Sequence, residues 1–349
     1  MPVISLKSIA ARLWFISGCY LLAAEIFADN RKIRTYFLAY IAGMTPVAIY
    51  FLTKMVIAGG FNQAAAYASS RPFFNDHTSF GASLAFCIPV LIFFAWEKEA
   101  SLPRRLLMFL LLSLFLAVFV LSYSRAAWLS ILVSFIFILI IVMKISWKTI
   151  LPAASVVIAA VVISWQPLMM KLGGNRQDSS GEIPQHFRSI SNITTDASNM
   201  ERINRWKSAL RMFREKPFLG WGPATFQFQY APFQMADEKT IISTIYGERG
   251  NAHSEYLGAL AETGIPGLLL YAALLFYVLI TGIKIYSEEV NRSSRMLLLA
   301  MLAGLMTYAV HGALNNFLDT DKISALFWGM TAAIVALDLC GNGDKERQT

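Results

Sequence analysis

Residues 105–121 read RLLMFLLLSLFLAVFVL and residues 128–143 read WLSILVSFIFILIIVM, with only Ser122-Tyr123-Ser124-Arg125-Ala126-Ala127 between them. Each run is long enough to cross a hydrocarbon core of about 30 Å as a helix, and neither alternates as a half-buried strand does. Two such runs joined by a short polar turn make a pair of antiparallel membrane helices. Similar runs lie on both sides, and the expected spans are 13–28, 36–58, 79–96, 105–121, 128–143, 149–167, 265–283, 296–315 and 322–338. The fold class expected is an all-α polytopic membrane protein of about nine transmembrane helices with one large loop. Composition agrees: 56% of the 349 residues are hydrophobic, 15% are charged and the mean hydropathy is +0.52. A soluble domain carries roughly a quarter charged residues, so an ordinary soluble fold is excluded.

The net charge of +8 would suggest nucleic acid in a soluble protein. Here the basic residues sort by membrane side, so no nucleic-acid partner is expected. Arg31, Lys32 and Arg34, then Lys98, Arg104 and Arg105, then Lys144 and Lys148, then Lys284, Arg292 and Arg295, with Lys345 and Arg347 in the tail, mark the cytoplasmic side. Alternation puts 59–78, 122–127, 168–252 and 316–321 outside. An odd span count also puts the N-terminus outside, with Lys7 and Arg12. Either the first span is then not a full crossing or helices precede Met1. Glu25 and Lys54 sit near predicted span ends and can snorkel. No internal repeat is evident.

Cys19, Cys87 and Cys340 lie in or beside apolar runs without metal-like spacing, and make neither a disulfide framework nor a zinc site. Ile16-Ser17-Gly18-Cys19 looks like a lipoprotein cleavage box. Only Leu13 to Ile16 approach it as an apolar run, so it reads as part of a retained helix. The domains expected are 1–167, an N-terminal bundle of about six spans; 168–252, the outer loop; 253–339, a short helix plus about three spans; and 340–349, a cytoplasmic tail. The loop carries eleven Lys/Arg against eight Asp/Glu, on the side where short loops are poor in positive charge. Residues 175–199 read as irregular and 201–216 as a helix ended by Pro217. Ile203, Trp206, Leu210 and Phe213 share one arc of it, flanked by Arg202 and Arg205 on one side and Lys207, Arg211 and Arg214 on the other. Such a helix is expected at a membrane interface, facing anionic headgroups.

Four outer features can carry chemistry. Arg125, in a short turn with small neighbours, is either an interfacial anchor beside Trp128 or a planar fork for phosphate oxygens. Arg202, with Arg205 and Arg211, forms a basic cluster able to hold a lipid-linked diphosphate or simply anionic lipid. Asn251-Ala252-His253-Ser254-Glu255-Tyr256-Leu257 opens a short helix that Gly264 can end, with Pro266 opening the next span. His253, Tyr256, Leu257 and Leu260 share one face, and Glu255 and Glu262 lie opposite. A helix N-terminus would keep His253 neutral and able to accept a proton, although a histidine there also serves as a cap. Arg71-Pro72-Phe73-Phe74-Asn75-Asp76-His77-Thr78 is polar enough to line a substrate cavity, and Asn75 or Asp76 equally caps the next helix. No metal is expected at Asp319-Thr320-Asp321, and His311 is expected to hydrogen-bond between helices.

Taken in order, Ser124-Arg125-Ala126-Ala127-Trp128-Leu129, Arg202-x3-Trp206 followed by Glu215-Lys216-Pro217-Phe218-Leu219-Gly220-Trp221-Gly222, and His253-Ser254-x-Tyr256-Leu257 with Glu262-x-Gly264-x-x-Gly267 resemble the bacterial O-antigen ligase/polymerase superfamily. The resemblance runs from about residue 71 to 283. It implies a GT-C-like helical bundle of the inner membrane with a large periplasmic loop, acting on a glycan carried by undecaprenyl diphosphate, without a cofactor. Arg125, Arg202 and His253 match its essential positions. Arg71, Arg205, Arg211 and Tyr256 are the further substrate-binding candidates. Family members usually have about three more helices before the arginine turn. The first turn here reads Arg-Ala-Ala where Arg-Gly is common, and Ser254 stands where Asn is common.

The mechanism this implies has the arginines bind the diphosphate while His253 takes the proton of an acceptor hydroxyl, with inversion and no metal. Lipid A core is the first acceptor expected, giving a ligase. A growing glycan would make it a polymerase, and protein Ser or Thr an oligosaccharyltransferase. A lipid-linked glycan transporter is the rival of another class, but it should show midplane charges, broken helices or repeated halves.

Overall fold

The computed structural model describes residues 1–146, 197–240, 243, 244 and 250–346, with isolated positions between 148 and 159. In chain order its helices are α1 (Pro2–Ile26), α2 (Asn30–Ile57), the short α3 (Gln63–Ser69), α4 (His77–Trp96), α5 (Leu102–Leu121), α6 (Arg125–Val142), α7 (Ala197–Glu215), the short α8 (Phe226–Gln229), α9 (Glu255–Glu288), α10 (Arg292–Leu314) and α11 (Asp321–Glu346). All but α3, α7 and α8 are long and apolar enough to cross a membrane, eight in all among the described residues. Those residues contain no strand. The chain is an all-α polytopic membrane protein. The expected span 149–167, isolated positions apart, and the Ser/Asn-rich 175–196 lie outside the described residues.

Helix α1 passes through Gly18 and Cys19 as a π-helical stretch, Ile16–Leu22, so the lipoprotein-like box stays within a helix. The other starts follow local chemistry. Asp29, Asn62, Asp76, Ser254 and Asn291 each accept a backbone N–H from the first turn of the helix they open.

Helices α4 and α10 form the centre. In its most apolar window α4 is 83% buried and α10 72%, against 22% for α6 and for α9. The outer helices turn residues such as Leu110, Leu132, Phe135, Leu270 and Phe276 outward, as lipid contact allows. Close approach rests on small residues and interhelical hydrogen bonds. A Cβ on Gly304 would lie 2.9 Å from Met330 Sδ and 3.1 Å from the Phe86 carbonyl, and Ser134 Oγ donates to the Ala303 carbonyl at 2.7 Å.

The two ends of the bundle differ. At one, buried Glu97 accepts from Arg34 and faces Arg104 at 3.4 Å, while Arg34 also donates to Ser293. At the other, the segments expected on one side of the membrane gather under a small second core of Ala209, Met212, Phe226, Tyr230, Ala252 and Ala261. Ser5, near the start of α1, reaches this end too, since a Cβ on Gly222 would lie 2.8 Å from its Oγ.

Helix α7 meets the rest of the loop domain with a largely polar face. Its buried stripe is Glu201, Asn204, Arg205, Ser208, Ala209 and Met212, largely polar, and not the arc of Ile203, Trp206, Leu210 and Phe213, where Leu210 is 40% exposed. The polar stripe can be buried because most of its groups are satisfied, Asn204 Oδ1 being the exception. Glu201 accepts from Arg205, Ser243 and Thr240, and Asn204 donates to Gln234 at 2.8 Å.

Candidate functional site

The turn between α5 and α6 is held on three sides. Tyr123 takes φ 52 and its hydroxyl donates to the Phe61 carbonyl. Ser122 Oγ and Trp128 Nε1 both donate to the Phe119 carbonyl, at 2.7 and 3.2 Å, closing the turn from its two ends. Gly81 of α4 lies against it, and a Cβ there would meet Ser124 Cβ at 2.6 Å. Arg125 is thereby fixed as the first residue of α6, half-buried, at the positive end of the helix dipole. Cations are disfavoured at that position, so the turn is electrostatically prepared for an anion. Ser124, its cap residue, makes no side-chain capping bond, and its buried Oγ has no hydrogen-bond partner.

His253 comes from the chain just ahead of α9. Ser254 is the cap of α9, so His253 stands just ahead of the helix at φ 49, its N–H donating to Asn251 Oδ1 and its carbonyl accepting from Trp206 Nε1 at 3.0 Å. Its pKa is pushed down to about 4, first by burial and then by the charges of Arg202 and Arg205, against the smaller opposing effects of Glu201 and Asp76. Burial and arginines do what a helix N-terminus was expected to do. The imidazole is neutral at pH 7.

Arg202 links the three motifs. It lies within electrostatic reach of Arg125, His253 and Asp76, and burial works against its charge while Asp76 favours it. Asp76 is fixed by capping α4, with Oδ1 accepting from Ser79 N at 2.7 Å and Thr78 Oγ1 at 2.6 Å. Two further histidines join this cluster, His77 from the Arg71–Thr78 stretch and His311 from a span. His77 Nδ1 is 2.6 Å from the Ser122 carbonyl, so that nitrogen carries the proton and Nε2 the lone pair. His311 of α10 meets Asn315 at 3.2 Å and lies within electrostatic reach of Arg202 and Asp76. Three of the four histidines in the chain therefore converge here. The only sequence signal was their placement at the same expected end.

The remaining candidates are disposed differently. Arg205 is buried, with Nε 2.6 Å from Glu201 and its guanidinium 4.1 Å from the Tyr230 ring centre. Arg211 donates to the Phe233 carbonyl and pairs with Glu238 at 2.7 Å, as Lys207 does at 2.9 Å. These pairs spend charge inside the loop domain. Arg71 is exposed, donating to Tyr67 Oη at 3.2 Å and the Asn75 carbonyl at 3.4 Å. Tyr256 donates to the Ala309 carbonyl at 2.9 Å, tying α9 to α10.

Helix α9 kinks at Gly264, φ 69 and ψ −162, separating a short helix from the span that Pro266 opens. Glu262 accepts from the backbone N–H groups of Ala224 and Phe226, at 2.8 and 3.1 Å. Glu255 accepts from Phe317 and Leu318 N–H at 2.7 and 2.9 Å and from Tyr308. Both acids hold backbone away from His253, as their opposite face implies.

Residues 110–272 match the family model described as O-antigen ligase, a stretch that runs from α5 into α9 and contains Arg125, Arg202 and His253. No curated protein matches the chain.

Proposed function

We propose, from the premise that the chain belongs through residues 110–272 to the O-antigen ligase/polymerase superfamily, that it transfers a glycan from undecaprenyl diphosphate to a hydroxyl of lipid A core at the periplasmic face of the inner membrane. The observation that carries this reading is the meeting of Arg125, Arg202 and His253 from three separate motifs at one end of the bundle. Two guanidiniums beside a helix N-terminus suit a diphosphate, whose oxygens they can bind in pairs.

In this reading the bond from the anomeric carbon to the diphosphate oxygen breaks while the acceptor oxygen attacks from the opposite face. The configuration inverts. Arg125 and Arg202 take up the negative charge growing on the leaving undecaprenyl diphosphate, the task a divalent cation serves elsewhere, so transfer is metal-independent. His253, neutral at pH 7, accepts the acceptor's proton. Arg71, on the exposed loop before Asp76, is suited to reach the outer part of the donor, and Tyr256 to fix the short helix behind His253. Arg205 and Arg211 contribute through the fold of the loop domain and the positive field it presents.

The test offers the purified protein undecaprenyl-diphosphate glycan in the presence of EDTA, with lipid A core in one tube and donor alone in the other. Product on lipid A core is expected. Lengthened glycan in both tubes would make the chain a polymerase. No product in either, with His253→Ala indistinguishable from wild type, would remove the glycosyltransferase reading in favour of a transporter.

A further inference from the structure

The motif Lys216-Pro217-Phe218-Leu219-Gly220-Trp221-Gly222 has no part in the chemistry above, yet its backbone is among the most constrained in the loop domain. Gly220 N donates to the Lys216 carbonyl at 3.1 Å, closing a turn with Pro217, Phe218 and Leu219 at its tip. Trp221 N and Gly222 N donate to the Ala261 and Glu262 carbonyls at 3.1 and 2.7 Å, and Ile265 N donates to the Pro217 carbonyl at 2.9 Å. The fit leaves no room for side chains between the two segments. A Cβ on Gly220, at φ +63, would lie 2.3 Å from the Glu262 carbonyl carbon, and one on Gly264 2.4 Å from the Phe218 oxygen. The tip is pinned at the kink of α9 with Phe218 73% and Leu219 83% exposed.

Where the kink lies decides what covers them. The uncharged run from Ile265 to Ile283 is about 28 Å of helix at about 1.5 Å per residue, close to the about 30 Å of a hydrocarbon core. Ile265 therefore marks the hydrocarbon boundary, and the apolar surface of this span continues outward through Ile265, Leu269 and Leu270, 39%, 61% and 73% exposed. Phe218 and Leu219 extend that surface across the kink. Lys216, whose Nζ lies 3.8 Å from the Trp221 ring centre, stands at the base of the tip as a headgroup-level cation does.

We propose that Phe218 and Leu219 form a wedge inserted among the acyl chains of the leaflet at the loop-domain end, anchoring that domain to the membrane beside the kink of α9. Because the tip is hydrogen-bonded to the base of a span, insertion sets the height of the loop domain and of Arg202 above the membrane. The proposal rests on the fold alone and not on the glycan chemistry.

The test places a nitroxide at Phe218→Cys or Leu219→Cys in a Cys19→Ser/Cys340→Ser background, buried Cys87 being left in place, in vesicles of phosphatidylethanolamine and phosphatidylglycerol. Leu270→Cys serves as the lipid-facing reference and Asp237→Cys as the water-facing one. The expected result at 218 and 219 is the Leu270 pattern, with strong relaxation by oxygen and exclusion of a water-soluble nickel complex. Nickel accessibility equal to that of Asp237 would overturn the proposal. Exclusion of both reagents would overturn it equally, since it would mean a covering of protein such as a second copy.

Discussion

The indole N–H of Trp206 donates to the carbonyl of His253 at 3.0 Å. Trp206 lies one turn after Arg202 on α7, so the spacing Arg-x3-Trp sets the two in one frame: the tryptophan holds the histidine's backbone while the arginine's charge acts on the imidazole. A loop helix is thereby tied to the turn at the start of a membrane helix.

Arg125→Ala, Arg202→Ala and His253→Ala are each expected to lower transfer by about 10²-fold or more, the scale of losing a preorganised group at a developing charge, with membrane insertion unchanged. Arg125→Lys should recover only part, because an ammonium cannot reproduce the planar fork. Full activity in any of the alanine variants, measured on the same donor, would remove that residue from the mechanism.

His77 holds the Ser122 carbonyl with Nδ1 and keeps a lone pair on Nε2. His77→Asn can still donate to that carbonyl but has no comparable base, which separates anchoring from proton handling. A fall in kcat of about 10²-fold is expected, the lower end of what general bases contribute, with little change in KM. Unchanged kcat would restrict His77 to holding the turn.

The pH dependence follows from His253. Its folded pKa is lowered from 6.5 to about 4, so the neutral form that accepts protons persists down to about pH 4. Transfer limited by this group should be flat from pH 8 to about 5 and fall as pH drops through about 4. In stability the sign is the same: the contribution is complete above the unfolded value of 6.5 and is lost as pH falls toward 4. An acidic limb near 6.5 in the rate profile would show that His253 is not the group controlling transfer.

Gly264→Ala places a methyl group where 2.4 Å separates the Cβ position from the Phe218 oxygen, at φ +69. A loss of about 1–3 kcal/mol or more is expected from strain at such a position, seen as a lower thermal midpoint in detergent together with loss of transfer. Gly258→Ala, on the same short helix with 3.7 Å to its nearest neighbour, should leave both unchanged.

Much of this protein is set along the chain itself. Eight of the expected spans are present because hydropathy and length are properties of a segment alone, and a backbone in lipid must satisfy its hydrogen bonds within that segment. The break at Gly264 followed by Pro266, and the capping by Asp76, are likewise local, as a left-handed φ and a side-chain cap need only near neighbours. Folding in three dimensions decided which faces are used. The wheel of α7 shows that Ile203, Trp206, Leu210 and Phe213 share an arc, but their fate depends on what the rest of the loop domain presents. The segments that follow α8 and precede α9 offer Gln234, Tyr230 and Ala252 to the face of Glu201, Asn204 and Arg205 instead. Tertiary packing likewise paired Arg211 with Glu238, brought His77 and His311 beside Arg202, and left Phe218 and Leu219 outside while their neighbours were pinned. Periodicity determines which side chains point the same way. Only contact between distant segments decides whether a charge meets a partner, a cavity or the membrane.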